Sequence, residues 1–453
     1  MSTASPTAYH RRSRSSRRSP WAWIPTLYVA EGLPYFAVNV LTVLMYKNMG
    51  VPLAEMAFFT AWLYLPWVIK PFWSPFIDIV KTKRWWILAM QLVMSAAFIL
   101  LTLTVPAPDA ATIASGQTPI SLFYVTLILF VITAFASATH DIAADGFYML
   151  ALSQSLQAAW VGWRSTFYRL ASIFGQGVLV WIAGTIEKES GNIPLSWRIT
   201  LLVTAVLFSV ITIYHTFFVP RPASDTSVIA AEGEQVSAAT IFREFARTFR
   251  TYFTKPGVVL AIIFMLLYRL PEAFLIKMCT PFLVASQAVG GLGLSTQDVG
   301  WIYGGVGVFF LTAGGILGGT YASKLGLKKS LWVMAGFMTL PCATFVYLSM
   351  FQPTNIFAIC ASLAVEQFGY GFGFTAYMLY MMYFSEGEFK TSHYAICTAF
   401  MAASMLLPGM VAGYIQEAIG YSNFFLMVMV CCIATLIVTY FVDRKIDPNY
   451  GKK

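Results

Sequence analysis

Ten ionisable side chains interrupt stretches that are otherwise apolar: Glu31, Lys70, Asp141, Asp145, Arg164, Arg169, Arg269, Glu272, Lys277 and Glu366. Charge placed in lipid is costly and is kept where it faces a cavity or a partner, so these residues are the first candidates for chemistry. Glu31 and Glu366 fall near the middle of their apolar stretches, about 15 and 18 Å deep at the rise of a helix. Burial favours the proton-bound form of a lone carboxyl, which makes Glu31 and Glu366 candidates for carrying a proton. Asp141 and Asp145 stand four apart on one helix face and come out near the far end of theirs. They read as an inner gate with Arg164 and Arg169, or as further proton-coupling groups. Arg269 and Glu272, three apart, either meet a charged solute or neutralise each other. Glu31, Lys70, Arg269, Glu272, Tyr377 and Tyr380 are the substrate-binding candidates. His140 beside the two aspartates hints at a metal, but no further ligand closes the shell, and neither a metal nor any cofactor is expected.

The elements that hold these groups are set by composition. The chain has 453 residues, 58% hydrophobic, 16% aromatic and only 11% charged, against about 25% charged in globular chains. That excludes a soluble enzyme, a disulfide-stapled module and a nucleic-acid binder. A spanning helix needs roughly 20 apolar residues. The apolar runs predict twelve such helices: Trp21–Tyr46, Ala54–Val80, Trp85–Val105, Ser121–Leu150, Trp160–Ile186 and Trp197–Val219, then Pro256–Ala285, Thr296–Tyr321, Leu331–Met350, Thr354–Phe384, Ser392–Ala418 and Tyr421–Val442. The expectation is an all-α integral membrane protein. It divides into a disordered basic tail (1–20), a six-helix bundle (21–219), a linker (220–255), a second six-helix bundle (256–442) and a short tail (443–453). The six cysteines lie in apolar stretches without metal-type spacing and read as small core side chains.

Lys and Arg near the span ends orient the chain. With both termini in the cytoplasm, 21 of them fall on that side and only Lys47, Lys188 and Arg198 on the other. The net charge of +9 is therefore an orientation signal and calls for no polyanionic partner. Arg17-Arg18 is not an export signal, since no small-residue cleavage site follows. In the linker, Ile241, Phe245, Phe249 and Tyr252 share one helix face and Arg243, Arg247 and Arg250 another. That pattern predicts a short helix on the membrane surface, tying the halves together on anionic lipid.

The halves echo each other. Leu33-Pro34 parallels Leu270-Pro271, the approach to the second span parallels that to the eighth, Lys83-Arg84-Trp85-Trp86 parallels Lys328-Lys329-Ser330-Leu331-Trp332, and Gly184-Thr185-Ile186 parallels Gly413-Tyr414-Ile415. Matches in register at about half the chain length predict two parallel six-helix pseudo-repeats, the plan of the major facilitator fold. Within it, the chain resembles the AmpG-type muropeptide permeases and their relatives, the acetyl-coenzyme A transporters. The resemblance rests on Lys70-Pro71-Phe72-Trp73-Ser74-Pro75-Phe76-Ile77-Asp78 and on Ser137 to Asp145. It extends through Tyr168-Arg169-Leu170, Leu267 to Phe274, and Glu366. Glu31 and His140 depart from that family's residues. Asp78 and the turn ending at Arg84 resemble the superfamily's loop motif, which makes them further gate candidates.

These readings converge on a monomeric secondary transporter of the bacterial inner membrane. Its partners are a small-molecule solute, the proton and membrane lipid. The resemblance implies import of an anhydro-muropeptide by proton-coupled alternating access. Alternatives are another bulky solute (a siderophore, a glycan fragment, acetyl-coenzyme A) or a non-transporting receptor on the same scaffold. The balance of five buried cations against five buried anions suits a zwitterionic ligand.

Overall fold

A computed structural model describes residues 18–227 and 237–452; most of the basic tail expected at 1–20 lies outside them. All regular structure among these residues is helical. The chain runs through α1 (Pro20–Asn48), a broken stretch from Leu53 to Ile79, α2 (Lys83–Thr104) and α3 (Ile120–Ala151). There follow α4 (Gln154–Ile173), joined by a wider turn to α5 (Leu179–Ser190), then α6 (Ile193–Phe218) and α7 (Ala238–Phe253). The remainder is α8 (Val258–Val284), α9 (Asp298–Leu325), α10 (Leu327–Phe351), α11 (Ile356–Ser385) and α12 (Lys390–Asp443).

Among the described residues nine of these segments, all except α4, α5 and α7, are long and apolar enough to cross a membrane by length and composition. The protein is a multi-pass membrane protein. The stretch from Leu53 to Ile79 falls short because Pro66, Pro71 and Pro75 remove backbone donors, leaving short helices joined by single turns at Trp62–Tyr64 and Lys70–Phe72. Lys70 thus sits in a break, where its backbone is free of a regular ladder. α4 falls short because it carries Gln154, Gln157, Arg164 and Arg169. Inside α12, Gly420 (φ 74°, ψ 167°) leaves helical geometry and joins two helices; only glycine adopts that conformation without strain.

Apolar packing forms one core around Leu33, Phe98, Phe130 and Phe208 and another around Phe282, Phe345, Phe424 and Phe425. A larger cluster bridges them, with Trp23, Phe147, Tyr148 and Trp160 against Leu331, Phe372, Tyr377 and Tyr394. Small residues let the bridging helices meet. A Cβ on Gly162 of α4 would lie 2.1 Å from the carbonyl oxygen of Gly315 in α9, and one on Gly146 of α3 would lie 2.3 Å from Thr391 of α12.

The same end of the molecule carries polar ties. Asp78 accepts hydrogen bonds from the Ser392 amide (2.8 Å) and hydroxyl (2.5 Å) and pairs with Lys83 at 3.0 Å. Arg84 does not join it. Its guanidinium donates to the Thr216 and Val219 carbonyls and so caps α6. Helix α7 spans the seam, with Phe245 against Phe76 on one side and Tyr252 against Cys397 and Phe384 on the other. The stripe expected to face lipid is thereby turned against protein. The buried face also takes in Glu244 and Thr248, because Arg243 and Arg247 pair with Glu244 and Arg247 reaches Glu388.

Replacing Gly162 by Val forces α4 and α9 apart and should lower stability by about 1–3 kcal/mol. Gly336→Ala on α10, where a Cβ meets nothing within 4 Å, should be neutral or raise it by about 0.5–1 kcal/mol. Thermal unfolding in detergent reads both, and opposite signs are the expected result.

Candidate functional site

A cavity of about 380 Å³ opens between the bundles. Its charged lining comes from four elements: Glu31 on α1, Lys70 in the proline break, Asp141 and Asp145 on α3, and Arg164 and Arg169 on α4. Its walls are aromatic, from Tyr28, Tyr35, Tyr64, Trp67 and Tyr168, and α11 and α12 close it with Phe374, Met378, Tyr394 and Met401.

Asp145 and Arg164 form the tightest unit. The guanidinium donates to Asp145 Oδ1 at 2.6 Å, and the Tyr28 hydroxyl donates to the same oxygen at 3.4 Å. Arg164 lies over the rings of Tyr28 (4.7 Å) and Tyr148 (4.9 Å) and reaches the Tyr394 hydroxyl of the other bundle at 3.5 Å. Asp141 does not engage an α4 arginine, as the sequence suggested. It pairs with Lys70, and Glu31 lines the same cavity with one carboxyl oxygen buried and unpartnered. The depth estimate separated Glu31 from Asp141 because it counted from opposite ends of the two helices. From the end they share, Asp141 lies ten residues inside α3 and Glu31 eleven inside α1, each about 15 Å deep.

Two further buried acids, Glu272 of α8 and Glu366 of α11, lie away from the cavity. Each has one carboxyl oxygen lacking a partner, and Gln367 donates to Glu366 at 2.7 Å. Arg269 does not pair with Glu272. It donates to the Tyr370 hydroxyl at 2.6 Å and lies 4.6 Å over the ring of Phe374.

Three expectations need correction. Tyr377 and Tyr380 do not line the cavity: Tyr377 donates to the Met265 carbonyl at 2.6 Å, Tyr380 packs 4.4 Å from Phe264, and both fill the second bundle. Helical spacing alone cannot tell which face of an all-apolar helix meets a void. Lys277 is exposed, so it leaves the set of buried cations. His140 turns away from the aspartates into a buried chain, with Gln91 2.9 Å away, Gln91 2.8 Å from His215, and His215 2.8 Å from Thr26. Among the described residues no group of three or more His, Cys, Asp and Glu side chains could hold a metal ion. The aromatic wall went largely unread, although Tyr28, Glu31 and Tyr35 at spacings of three and four signal one helix face.

Removing one partner of a buried pair strands the other charge at about 3–5 kcal/mol, whereas replacing both is nearly neutral. Arg164→Met alone should therefore destabilise the protein far more than Arg164→Met with Asp145→Leu. Unfolding midpoints of the two variants in detergent measure the difference.

Comparison with known proteins agrees with this architecture. A protein of Rickettsia felis named for AmpG is 22% identical over 428 residues, 93% of this chain and 96% of that one. The anhydromuropeptide permease of Escherichia coli (strain K12) is 24% identical over 377 residues, covering 82% of this chain and 69% of that one. Among solved structures, the proton:xylose symporter XylE superposes with a TM-score of 0.66 at 12% identity, over 96% of this chain and 97% of that one. The family model of the Major Facilitator Superfamily matches residues 26–391, and the chain belongs to that superfamily.

Proposed function

We propose that the protein is a proton-coupled secondary transporter that imports an anhydro-muropeptide, or a closely similar amphiphilic solute, across the bacterial inner membrane by alternating access. The observation that carries this reading is the cavity itself, where acids and bases of the first bundle face an aromatic wall and the second bundle supplies the lid. A void of this size suits a small-molecule ligand, and aromatic faces beside charged groups suit sugar rings bearing a short peptide. The anhydromuropeptide permease relative supports that choice of solute.

In this reading the broken stretch Leu53–Ile79 and the run from α4 to α5 also cross the bilayer, and α12 divides at Gly420. The chain then has twelve spans in two six-helix halves, with both termini cytoplasmic. The ties at Asp78–Ser392, Gly162–Gly315 and α7 lie on the basic, cytoplasmic side, so the cavity is open to the outside. The carboxyls of Glu31, Asp141, Glu272 and Glu366 are the proton carriers, two in each half. Arg164–Tyr394 and Asp78–Ser392 are inter-half contacts that break as the cavity turns inward. Exchange of one set of contacts for another is what biases a two-state transporter.

Membrane vesicles given labelled anhydro-muropeptide should accumulate it under an inward proton gradient and stop when a protonophore is added. Glu31→Gln and Glu366→Gln should each cut accumulation by at least about 10-fold, the scale of losing one essential ionisable contact, while leaving counterflow measurable. Flat uptake by the wild type would remove this solute, and normal accumulation in both variants would remove the two glutamates from coupling.

A further inference from the structure

Three cations line the cavity, and the protein answers two of them. Lys70 is paired with Asp141 and Arg164 with Asp145. The third acid of the lining, Glu31, forms no ion pair with Arg169 or any other cation among the described residues, and one of its carboxyl oxygens is buried without a partner. Arg169 has no hydrogen bond or ion pair to any side chain or carbonyl among the described residues, although it lines both the cavity and the narrow crevice that continues from it between α4, α9 and α11. A guanidinium cannot shed its charge, and its five donors form a rigid fork matched to an oxyanion. Such a group half out of water is stabilised by a charged partner.

The facing bundle reinforces the position. Phe374 of α11 lines the same cavity and crevice, and behind its ring stands Arg269, only 6% exposed. One Arg269 nitrogen is held by Tyr370, while its Nε has no partner. Arg269, Glu272, Tyr303 and Tyr370 are within electrostatic reach of Arg169. An oxyanion seated on Arg169 would therefore sit at the seam of the two bundles, beside a second, ring-backed guanidinium. Gate duty with the two aspartates is disfavoured by the same geometry, since Asp141 and Asp145 are already paired with Lys70 and Arg164.

We propose that Arg169 is the anchor for an anionic group of the transported solute, a carboxylate or a phosphate, with Arg269 adding long-range attraction from the opposite bundle. The zwitterion expected from a balanced charge count gives way to a solute with an exposed anion. This rests on reading the cavity as the transport path, but not on the identity of the solute.

The full-length protein in lipid nanodiscs, treated with the arginine reagent 4-hydroxyphenylglyoxal and read by mass spectrometry, tests the anchor without any presumed substrate. Arg169 should label while Arg164 and Arg269 resist. Sodium phosphate or sodium citrate should slow labelling by about 5-fold or more relative to sodium chloride at equal ionic strength. The better protector tells phosphate from carboxylate; no protection by either overturns the proposal.

Binding of anhydro-muropeptide and of its fully amidated form adds a second arm. The wild type should prefer the free acid by about 10-fold, Arg169→Gln should lose the preference and Arg169→Lys should keep part of it. An undiminished preference in Arg169→Gln overturns the anchor. If the wild type binds neither form, the muropeptide reading falls, and the labelling result still decides Arg169.

Discussion

A charge held out of water must be answered by an opposite charge, a hydrogen bond or a proton, and the interior of this protein is arranged around that constraint. Asp145 cannot stay buried without Arg164, nor Asp141 without Lys70. Arg164 in turn is bedded on the rings of Tyr28 and Tyr148, which explains why aromatic side chains crowd the same helix faces as the charges. The proline break that places Lys70 opposite α3 is part of the same solution, since a regular helix would fix its side chain by the ladder's own geometry.

Where charge is absent, small residues do the joining. Gly162 and Gly315 bring α4 and α9 into backbone contact, an approach that lipid-immersed helices gain by losing side chains at the seam. Polar ties of Asp78 to Ser392 and of α7 to both bundles lie at that same end. Glu31 and Asp141 line the cavity, while Glu272 and Glu366 are buried away from it.

Much of this was legible beforehand. Membrane class, helical architecture and most of the charges buried in apolar runs follow from residue type, because an ionisable group in an apolar run has few explanations; Lys277, which is exposed, is the exception. The Lys70 to Asp78 and Ser137 to Asp145 segments marked the elements that build the cavity. Partner choice was not legible. Asp141 with Lys70 instead of Arg164 or Arg169, Asp78 with Ser392 in addition to Lys83 of the basic turn, and Tyr377 in a core instead of a cavity all depend on how the helices pack.

Sequence by itself determined that this chain lives in a bilayer, that it is wholly helical in its regular parts, and that a handful of charges are buried in it. Those are consequences of transfer free energy, which acts on each residue according to its type. Only the tertiary structure decided which charges cancel and which is left over. Pairing depends on helix rotation, on breaks such as that at Lys70 and on the direction from which depth is counted, and each of these is set by packing against neighbours. Arg169 shows the difference most plainly: one buried cation among several in the sequence, it becomes the cation of the cavity without a partner once Lys70 and Arg164 have found theirs.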